Sequence, residues 1–285
     1  MSDVELLGAY WTLAAGAQPW SDHEYCPFDL LHRARAAAQA GFRGMGFWHT
    51  DLQHLRRAYS FKQIRQVLDD HGITHVEVEF LLDWFMGGER RQKSDSMRAF
   101  LLDAAEGMRA HHIKVGDFFN ERCPMPKMVE EFASLCKDAR ERGTNILYEI
   151  TPQPFSRINT LDEALALTRG AGARNGGLML DIWHVVRMGM SNEEIAGKLR
   201  DTDLIAAELN DGSLEAPIDM VDATVNHRSL VGDGEFDIEG FLAAVRTVGY
   251  RGPYGVEVLR ADMREWPLET IATRVFDSTM TAFRS

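Results

Sequence analysis

Four acidic residues lie at the ends of four successive apolar runs in the second half of the sequence. They are Glu149, Asp181, Glu208 and Glu257. A bare carboxylate in an apolar strand is costly, and a shared divalent cation would remove that cost. An all-oxygen ligand set suits Mn²⁺ or Mg²⁺ better than Zn²⁺. The pattern predicts a metal site, although a single acid at a strand end is usually a helix cap or a solvated group.

A cation held in this way predicts proton transfer on a carbonyl compound. It would bind two oxygens of a polyol or hydroxy-ketone, polarise the carbonyl and acidify the adjacent C–H. One flanking carboxylate would act as general base and a second as general acid. This is the chemistry of isomerases and epimerases, whereas loss of a β-hydroxyl after the same deprotonation gives a dehydratase or lyase. A non-catalytic binding barrel, or a subunit of a larger complex, is the third hypothesis.

The elements that must position these acids alternate along the whole chain. Short apolar runs predict strands at residues 5–10, 44–48, 75–80, 113–118, 145–150, 178–181, 204–210 and 255–259. Helical periodicity predicts helices at residues 27–40, 60–70, 92–109, 126–142, 160–168, 237–248 and 268–282, and a capping box at residues 191–194 begins another. Eight strand–helix pairs without a linker predict an α/β protein, a single (β/α)8 TIM barrel domain over residues 1–285. The rival, a doubly wound open sheet, usually needs a glycine-rich phosphate turn after its first strand, and none is present.

Composition narrows the classes of function. The chain has 285 residues, of which 45% are hydrophobic, and a formal net charge of −12. The excess of acids disfavours nucleic-acid partners. The sequence has neither a signal-peptide pattern nor a run approaching the ~20 apolar residues of a membrane helix. Three separated cysteines fit a reducing compartment, so we expect a cytoplasmic protein with a small-molecule substrate.

Several motifs resemble those of the xylose-isomerase-like TIM barrels, the group of sugar phosphate isomerases and epimerases that also includes endonuclease IV. They are Tyr148-Glu149, Leu-Asp181-Ile-Trp-His184, Glu208-Leu-Asn-Asp211-Gly, and the run from His227-Arg228 to Asp237 together with the segment from Gly249 to Val258. The resemblance covers the whole chain in organisation, and the motifs match closely from about residue 145 onward. The endonuclease branch is disfavoured because no Asp-x-His pair follows strand seven.

The resemblance implies a divalent metal, Mn²⁺ or Mg²⁺ rather than Zn²⁺, on the four acids. It also implies that Glu149 and Glu257 are the proton-transfer pair and that His184 and Arg228 hold substrate oxygens. Epimerases of the family commonly have a metal-binding histidine on strand seven, where this chain has Glu208. Either Glu208 or His227 from the following loop is therefore the third ligand. The expected substrate is a carbohydrate, and the expected assembly is a dimer or tetramer.

Other side chains near the same rim are candidates for substrate contacts. They are Trp48, Glu79, Asp211 and His227. Aromatic residues near strand ends predict either an apolar wall over the site or ordinary core packing: Trp11, Trp48, Trp84, Phe85, Phe118, Phe119 and Trp183. A wall would suit a substrate bulkier or less polar than a free sugar, such as a glycoside. No cluster of basic residues suggests a phosphate grip, which favours an unphosphorylated substrate. The pair His111-His112 precedes strand four and is predicted to lie on the surface.

Overall fold

Eight parallel strands close into a barrel in sequence order in the computed structural model, which describes residues 4–118 and 121–284. The barrel closes because β1 pairs with both β2 and β8. The strands are β1 Leu6–Gly8, β2 Gly44–Trp48, β3 His75–Leu81, β4 His112–Val115, β5 Asn145–Glu149, β6 Gly176–Asp181, β7 Leu204–Leu209 and β8 Tyr254–Val256. The predicted (β/α)8 barrel is thereby confirmed.

Helices connect the strands along the outside of the barrel. Those in the described part of the chain are α1 Tyr10–Leu13, α2 Leu30–Ala40, α3 His49–Leu55, α4 Phe61–Asp70, α5 Gly88–Met108, α6 Met125–Glu141, α7 Leu161–Ala171, α8 Ile182–Arg187, α9 Asn192–Lys198, α10 Met220–Asn226, α11 Ile238–Val248 and α12 Leu268–Ala282. None of them is long and apolar enough to cross a membrane. The short helices α1, α3, α8 and α10 were not predicted, because four to seven residues are too few for helical periodicity to show.

Side-chain caps fix where several of the helices begin. Ser60 forms a capping box with Gln63 at the start of α4. At the start of α9, the Ser191 hydroxyl accepts a hydrogen bond from the Glu194 amide at 3.1 Å. Each cap satisfies an amide that has no partner inside its own helix. Gly41 ends α2 in the left-handed conformation, at φ 116°, as its position in the sequence predicts.

The first and last strands, β1 and β8, are shorter than predicted. The side chain of Thr12 takes the place of backbone pairing where both strands end. The chain turns into α1 directly after β1, so Thr12 lies on a helix rather than on a strand. Its hydroxyl donates to the carbonyl of Val256 at 2.8 Å and accepts from the amide of Val258 at 2.8 Å. A side chain thus satisfies backbone groups that a longer β1 would have paired. Glu257 consequently lies one residue beyond β8.

The main hydrophobic core lies between the outer face of the barrel and the helices, as in other barrels of this type. The barrel interior, by contrast, contains charged groups. Lys114 on β4 reaches Glu208 on β7 across the inside of the barrel. The strands thus separate an apolar outer layer from an interior in which this charged cluster lies beside a small apolar one of Leu147, Met179 and Ala206.

Candidate active site

The four predicted acids converge at the carboxyl ends of four consecutive strands. Glu149 and Asp181 are the last residues of β5 and β6, Glu208 lies near the end of β7, and Glu257 follows β8. Each offers a carboxylate oxygen, and these oxygens lie within 4.8 Å of one another. All four residues are buried, at 5% exposure or less. The parallel arrangement therefore gathers side chains that the sequence spreads over more than a third of its length.

Asp181 is held by donors on both carboxylate oxygens. Its Oδ1 accepts from the amide of Trp183 at 2.8 Å and from Nδ2 of Asn210 at 2.7 Å. Its Oδ2 accepts from Nη1 of Arg228 at 2.6 Å. Burial alone would raise the pKa of Asp181, but the Arg228 guanidinium and these donors hold it below its ordinary value. Asp181 is therefore ionised and fixed in orientation.

Arg228 links Asp181 to Glu257. Nη1 also lies 3.1 Å from Oε2 of Glu257 and donates to the carbonyl of the same residue at 3.2 Å. The guanidinium is anchored from behind, since Nε donates to the carbonyl of Thr224 at 3.0 Å. Burial and the neighbouring acids raise the pKa of Glu257, against the opposing effect of Arg228 and Lys114. Glu257 thus takes up a proton more readily than an ordinary glutamate.

Lys114 is the main functional candidate that the sequence reasoning missed. Its side chain is fully buried, with Nζ 2.5 Å from Oε1 of Glu208 and 3.1 Å from Oε2 of Glu79. Glu77 and Glu257 follow at 3.5 and 4.0 Å. Burial would lower the pKa of the ammonium, but these carboxylates raise it well above its ordinary value. One fixed positive charge therefore lies among four glutamates beneath the rim.

Two glycines make room for this charged cluster inside the barrel. A Cβ atom at Gly255 on β8 would lie 2.4 Å from Cγ of Glu208, and one at Gly46 on β2 would lie 2.7 Å from Oε1 of Glu77. Small residues in the strands beside long inward-facing acids are the sequence signal that could have located the cluster.

One histidine of the pair before strand four belongs to the same cluster. His112 is 4% exposed, and its Nε2 lies 3.0 Å from Oε2 of Glu77. The predicted surface location of the pair is therefore wrong for His112, whereas His111 is exposed. The reason is that β4 begins at His112, so this side chain already points into the barrel.

His184 lies beside the four acids, on the short helix α8. Its Nε2 is 3.5 Å from Oε1 of Glu149 and 3.8 Å from Oδ2 of Asp181. The side chain is buried, and its Nδ1 has no hydrogen-bond partner among the described residues. The imidazole is thus positioned either to bind a substrate oxygen or to join the carboxylates around a cation.

A cavity of about 240 Å³ opens above the acids. Six residues predicted for the site line it: Trp48, Glu79, Glu149, His184, Arg228 and Glu257. Burial raises the pKa of Glu79 to about 8, and the neighbouring Glu77, Glu149 and Glu257 add to the shift. Glu79 therefore carries a proton at neutral pH. The cavity thus combines the carboxyl groups of Glu149 and Glu257 with the neutral carboxylic acid of Glu79.

The structure does not bring His227 or Asp211 into the cavity, which corrects both predictions. His227 directly follows α10 and immediately precedes Arg228, whose side chain is buried at the acids. The His227 side chain is 63% exposed, and its Nε2 lies 2.8 Å from Oδ2 of Asp222. Asp211 instead organises the loop after β7, accepting from the amides of Gly212 at 2.8 Å and Phe236 at 3.0 Å. Glu208 alone therefore occupies the strand-seven position.

The predicted aromatic wall is present, but some of the residues that form it differ from those predicted. Trp11, Trp48 and Phe118 line the cavity, as do three aromatic residues that the prediction omitted: Trp20, Phe80 and Phe155. Trp84, Phe85 and Trp183 are buried core residues, at most 2% exposed. Phe119 lies outside the described residues. The omission of Trp20 and Phe155 has a simple cause, since both lie in loops some distance from the strand ends.

Comparisons with known proteins agree with this fold. A model of the xylose isomerase-like TIM barrel family matches residues 34–277. The chain is 28% identical to the 3-dehydroshikimate dehydratase of Pseudomonas aeruginosa over 242 residues, which cover 84% of this chain and 37% of that protein. It is 28% identical to the inosose isomerase of Bacillus velezensis over 133 residues, which cover 47% of this chain and 46% of that protein. The chain therefore matches less than half the length of either relative.

A solved structure of the IolI protein with a bound zinc atom has a TM-score of 0.83 at 16% identity, covering 98% of both chains. At this identity the likeness establishes the fold alone. The family model, in contrast, covers most of the sequence, including all four strand-end acids. The chain belongs to the xylose isomerase-like TIM barrel family.

Proposed function

We propose that this protein is a metal-dependent isomerase or epimerase that acts on a polyhydroxylated keto compound, such as a keto-sugar or a keto-cyclitol. The observation that carries the proposal is the convergence of four carboxylates from four successive strand ends, of which Glu149 and Glu257 line a cavity. The inosose isomerase and 3-dehydroshikimate dehydratase relatives support the same substrate class, since their names describe acting on hydroxylated cyclic ketones.

The residues present fit a divalent cation. Oε2 of Glu208 is buried and has no hydrogen-bond partner among the described residues, which leaves a lone carboxylate oxygen beside the other three acids. The oxygen-only set favours Mn²⁺ or Mg²⁺, and the zinc in the IolI structure supports a metal in a barrel of this fold. Glu149, Asp181, Glu208 and Glu257 would hold the ion. When bound, it would polarise the substrate carbonyl and acidify the adjacent C–H.

The proton itself would be moved by residues of this chain. Glu149 and Glu257 line the cavity from different strands. One carboxylate takes the proton from the carbon beside the carbonyl, and the other returns a proton to complete the isomerisation or epimerisation. The buried His184 and Arg228 would donate hydrogen bonds to substrate oxygens and so fix which carbon faces the base.

A dehydratase is the second candidate, and Glu79 is the observation that favours it. This residue lines the cavity and, with a pKa raised to about 8 mainly by burial, is protonated at neutral pH. After a carboxylate removes the proton beside the carbonyl, the bond from the β-carbon to its hydroxyl breaks. Glu79 would protonate the departing hydroxyl, which leaves as water. The match to the dehydratase over 84% of the chain supports this alternative.

The two candidates are separated by incubating Mn²⁺-loaded protein with keto-sugars and keto-cyclitols in D₂O and identifying products by NMR. An isomerase gives an isomer that carries deuterium, whereas a dehydratase gives a product lacking water. Glu149→Gln and Glu257→Gln should abolish turnover and weaken Mn²⁺ binding. Glu239→Gln, which alters an exposed acid on α11, is the matched control. Full activity of Glu257→Gln on the true substrate would show that its assigned role is wrong.

A further inference from the structure

The cavity has two unlike halves. One half carries the charged side chains of the proposed active site. The other half is formed by six aromatic rings in unbroken succession, here called the aromatic arc: Trp11, Trp48, Phe80, Phe118, Phe155 and Trp20. Successive ring centroids along the aromatic arc are 5.0, 6.3, 5.0, 5.8 and 6.2 Å apart. Each spacing is within the range of direct aromatic contact.

Polar residues beside the aromatic arc already have partners within the protein. His49, whose ring centroid lies 4.5 Å from that of Trp48, accepts at Nδ1 from the amide of Phe80 at 3.3 Å. Glu24 lines the same half of the cavity. Its Oε1 accepts from the amide of Trp20 at 3.0 Å, and its Oε2 accepts from Nε1 of Trp48 at 3.2 Å and the hydroxyl of Thr50 at 3.0 Å. A ligand hydroxyl placed over the ring faces would lose hydrogen bonds to water and meet few partners there, which is costly. A compound hydroxylated around its whole rim therefore suits the charged half better than the aromatic arc.

Trp20 leaves part of the aromatic arc exposed to water. Its ring stacks on Phe155, with 21° between the planes, yet the residue remains 53% exposed. A large apolar ring facing water at the mouth of a cavity is a feature of ligand-binding surfaces. A ligand group covering Trp20 would bury this surface together with the rest of the aromatic arc.

We propose that the substrate is a keto-sugar or keto-cyclitol that carries an aromatic or similarly planar apolar substituent, as in an aryl glycoside. The polyhydroxylated ring lies on the charged half, and the substituent lies against the aromatic arc. This inference rests on the proposed function for the polar part of the ligand, but the substituent is assigned by the aromatic arc alone. The competing use of the rings is to stack on the C–H face of the sugar itself.

The test compares the binding of phenyl and methyl β-glucopyranoside to Mn²⁺-loaded protein by titration calorimetry, because the two probes differ only in the substituent. We expect the phenyl compound to bind at least about tenfold more tightly, from the added apolar burial and ring contact. Trp20→Ala should reduce the preference to less than about threefold, and Trp20→Phe should restore it, because it keeps a ring at the mouth. Trp20 is half-exposed, so the fold should tolerate both changes. Trp266→Ala, which alters a ring packed on Arg274 outside the cavity, is the control and should leave the preference unchanged.

Three results would overturn the inference: neither probe binds, both bind equally, or the preference survives Trp20→Ala. Equal binding combined with turnover of free keto-sugars would leave the proposed function intact and assign the rings to the sugar face. An arc-dependent preference with no turnover of any keto compound would support the substituent site and contradict the proposed function.

Discussion

Lys114→Met tests whether the buried ammonium is the counter-ion of Glu208. Two of the four glutamates around Lys114 do not depend on it for charge balance. Glu257 has Arg228 at 3.1 Å. Glu79 is protonated at neutral pH, because burial raises its pKa to about 8. Glu77 does depend on Lys114, 3.5 Å away, because burial lowers the pKa of His112, which therefore gives Glu77 a hydrogen bond at 3.0 Å and no charge. Glu208, 2.5 Å from the ammonium, has no other cationic partner within 4 Å among the described residues.

The size of the effect follows from this geometry. Burial and the neighbouring acids raise the pKa of Glu208 well above its ordinary value, against the opposing effect of Lys114, so protonation of this carboxyl relieves part of the loss. The loss is therefore at most about 3–5 kcal/mol, the cost when a buried ion pair loses one partner. For a chain of this size that corresponds to a fall in Tm of about 6–10 °C. The double variant Lys114→Met/Glu208→Gln removes both charges of the shortest pair, so it should lose less stability than Lys114→Met alone, and the remaining loss comes from Glu77. The coupling between the two sites should be about 2 kcal/mol or more.

The assay is thermal unfolding in EDTA, followed by the same measurement with excess Mn²⁺. Without the ammonium, Glu208 gains a cation only when Mn²⁺ binds, so the Mn²⁺-induced rise in Tm should be larger for Lys114→Met than for the wild type. In Glu208→Gln the ammonium remains but the carboxylate is gone, and this rise should be smaller. Equal losses in Lys114→Met and the double variant, or equal Mn²⁺ effects in all four proteins, would refute the counter-ion role.

Two further predictions concern groups on either side of this cluster. Because burial raises the pKa of Glu79 to about 8, its folded form holds a proton that the unfolded chain has lost, and the associated stability disappears as the pH rises towards and through 8. The unfolding free energy in EDTA should therefore fall less in Glu79→Gln than in the wild type between about pH 5 and pH 9. The two falls should differ by at most about 5 kcal/mol. Denaturant unfolding at both pH values measures them, and equal falls would contradict the prediction. Asp51→Asn leaves the buried Arg33, 2.7 Å away, without its counter-ion and should cost about 3–5 kcal/mol. Since Asp51 is not part of the four-acid cluster, Mn²⁺ affinity measured by electron paramagnetic resonance should not change, and a weakened affinity would count against the proposed ligand set.

The acids of the site could be predicted because the barrel topology does most of the positioning. Eight alternating strand–helix units place every strand end at one rim, so an acid closing an apolar run must lie there. Glu149 and Asp181 are strand-terminal residues as predicted, and Glu257 lies only one residue beyond β8. No property of a single strand was needed beyond its direction and its apolar pattern.

Other parts of the site depend on contacts that the sequence does not reveal. Lys114 is a single lysine in a four-residue strand, and its sequence neighbours do not indicate its partners. The partners lie between 35 residues away (Glu79) and 143 residues away (Glu257) along the chain. His227 was misplaced because its position in the loop after strand seven does not show whether the side chain faces the cavity or solvent, and it faces solvent. The aromatic arc draws on loops whose course is set by tertiary packing.

The central claim, that the four strand-end carboxylates form a divalent metal site, is tested most directly by a crystal structure of Mn²⁺-loaded protein measured near the manganese absorption edge. The account predicts an anomalous peak at coordination distance from Glu149, Asp181, Glu208 and Glu257, and loss of that peak in Asp181→Asn. The absence of a peak at these residues in the wild type, or a peak elsewhere in the barrel, would contradict it.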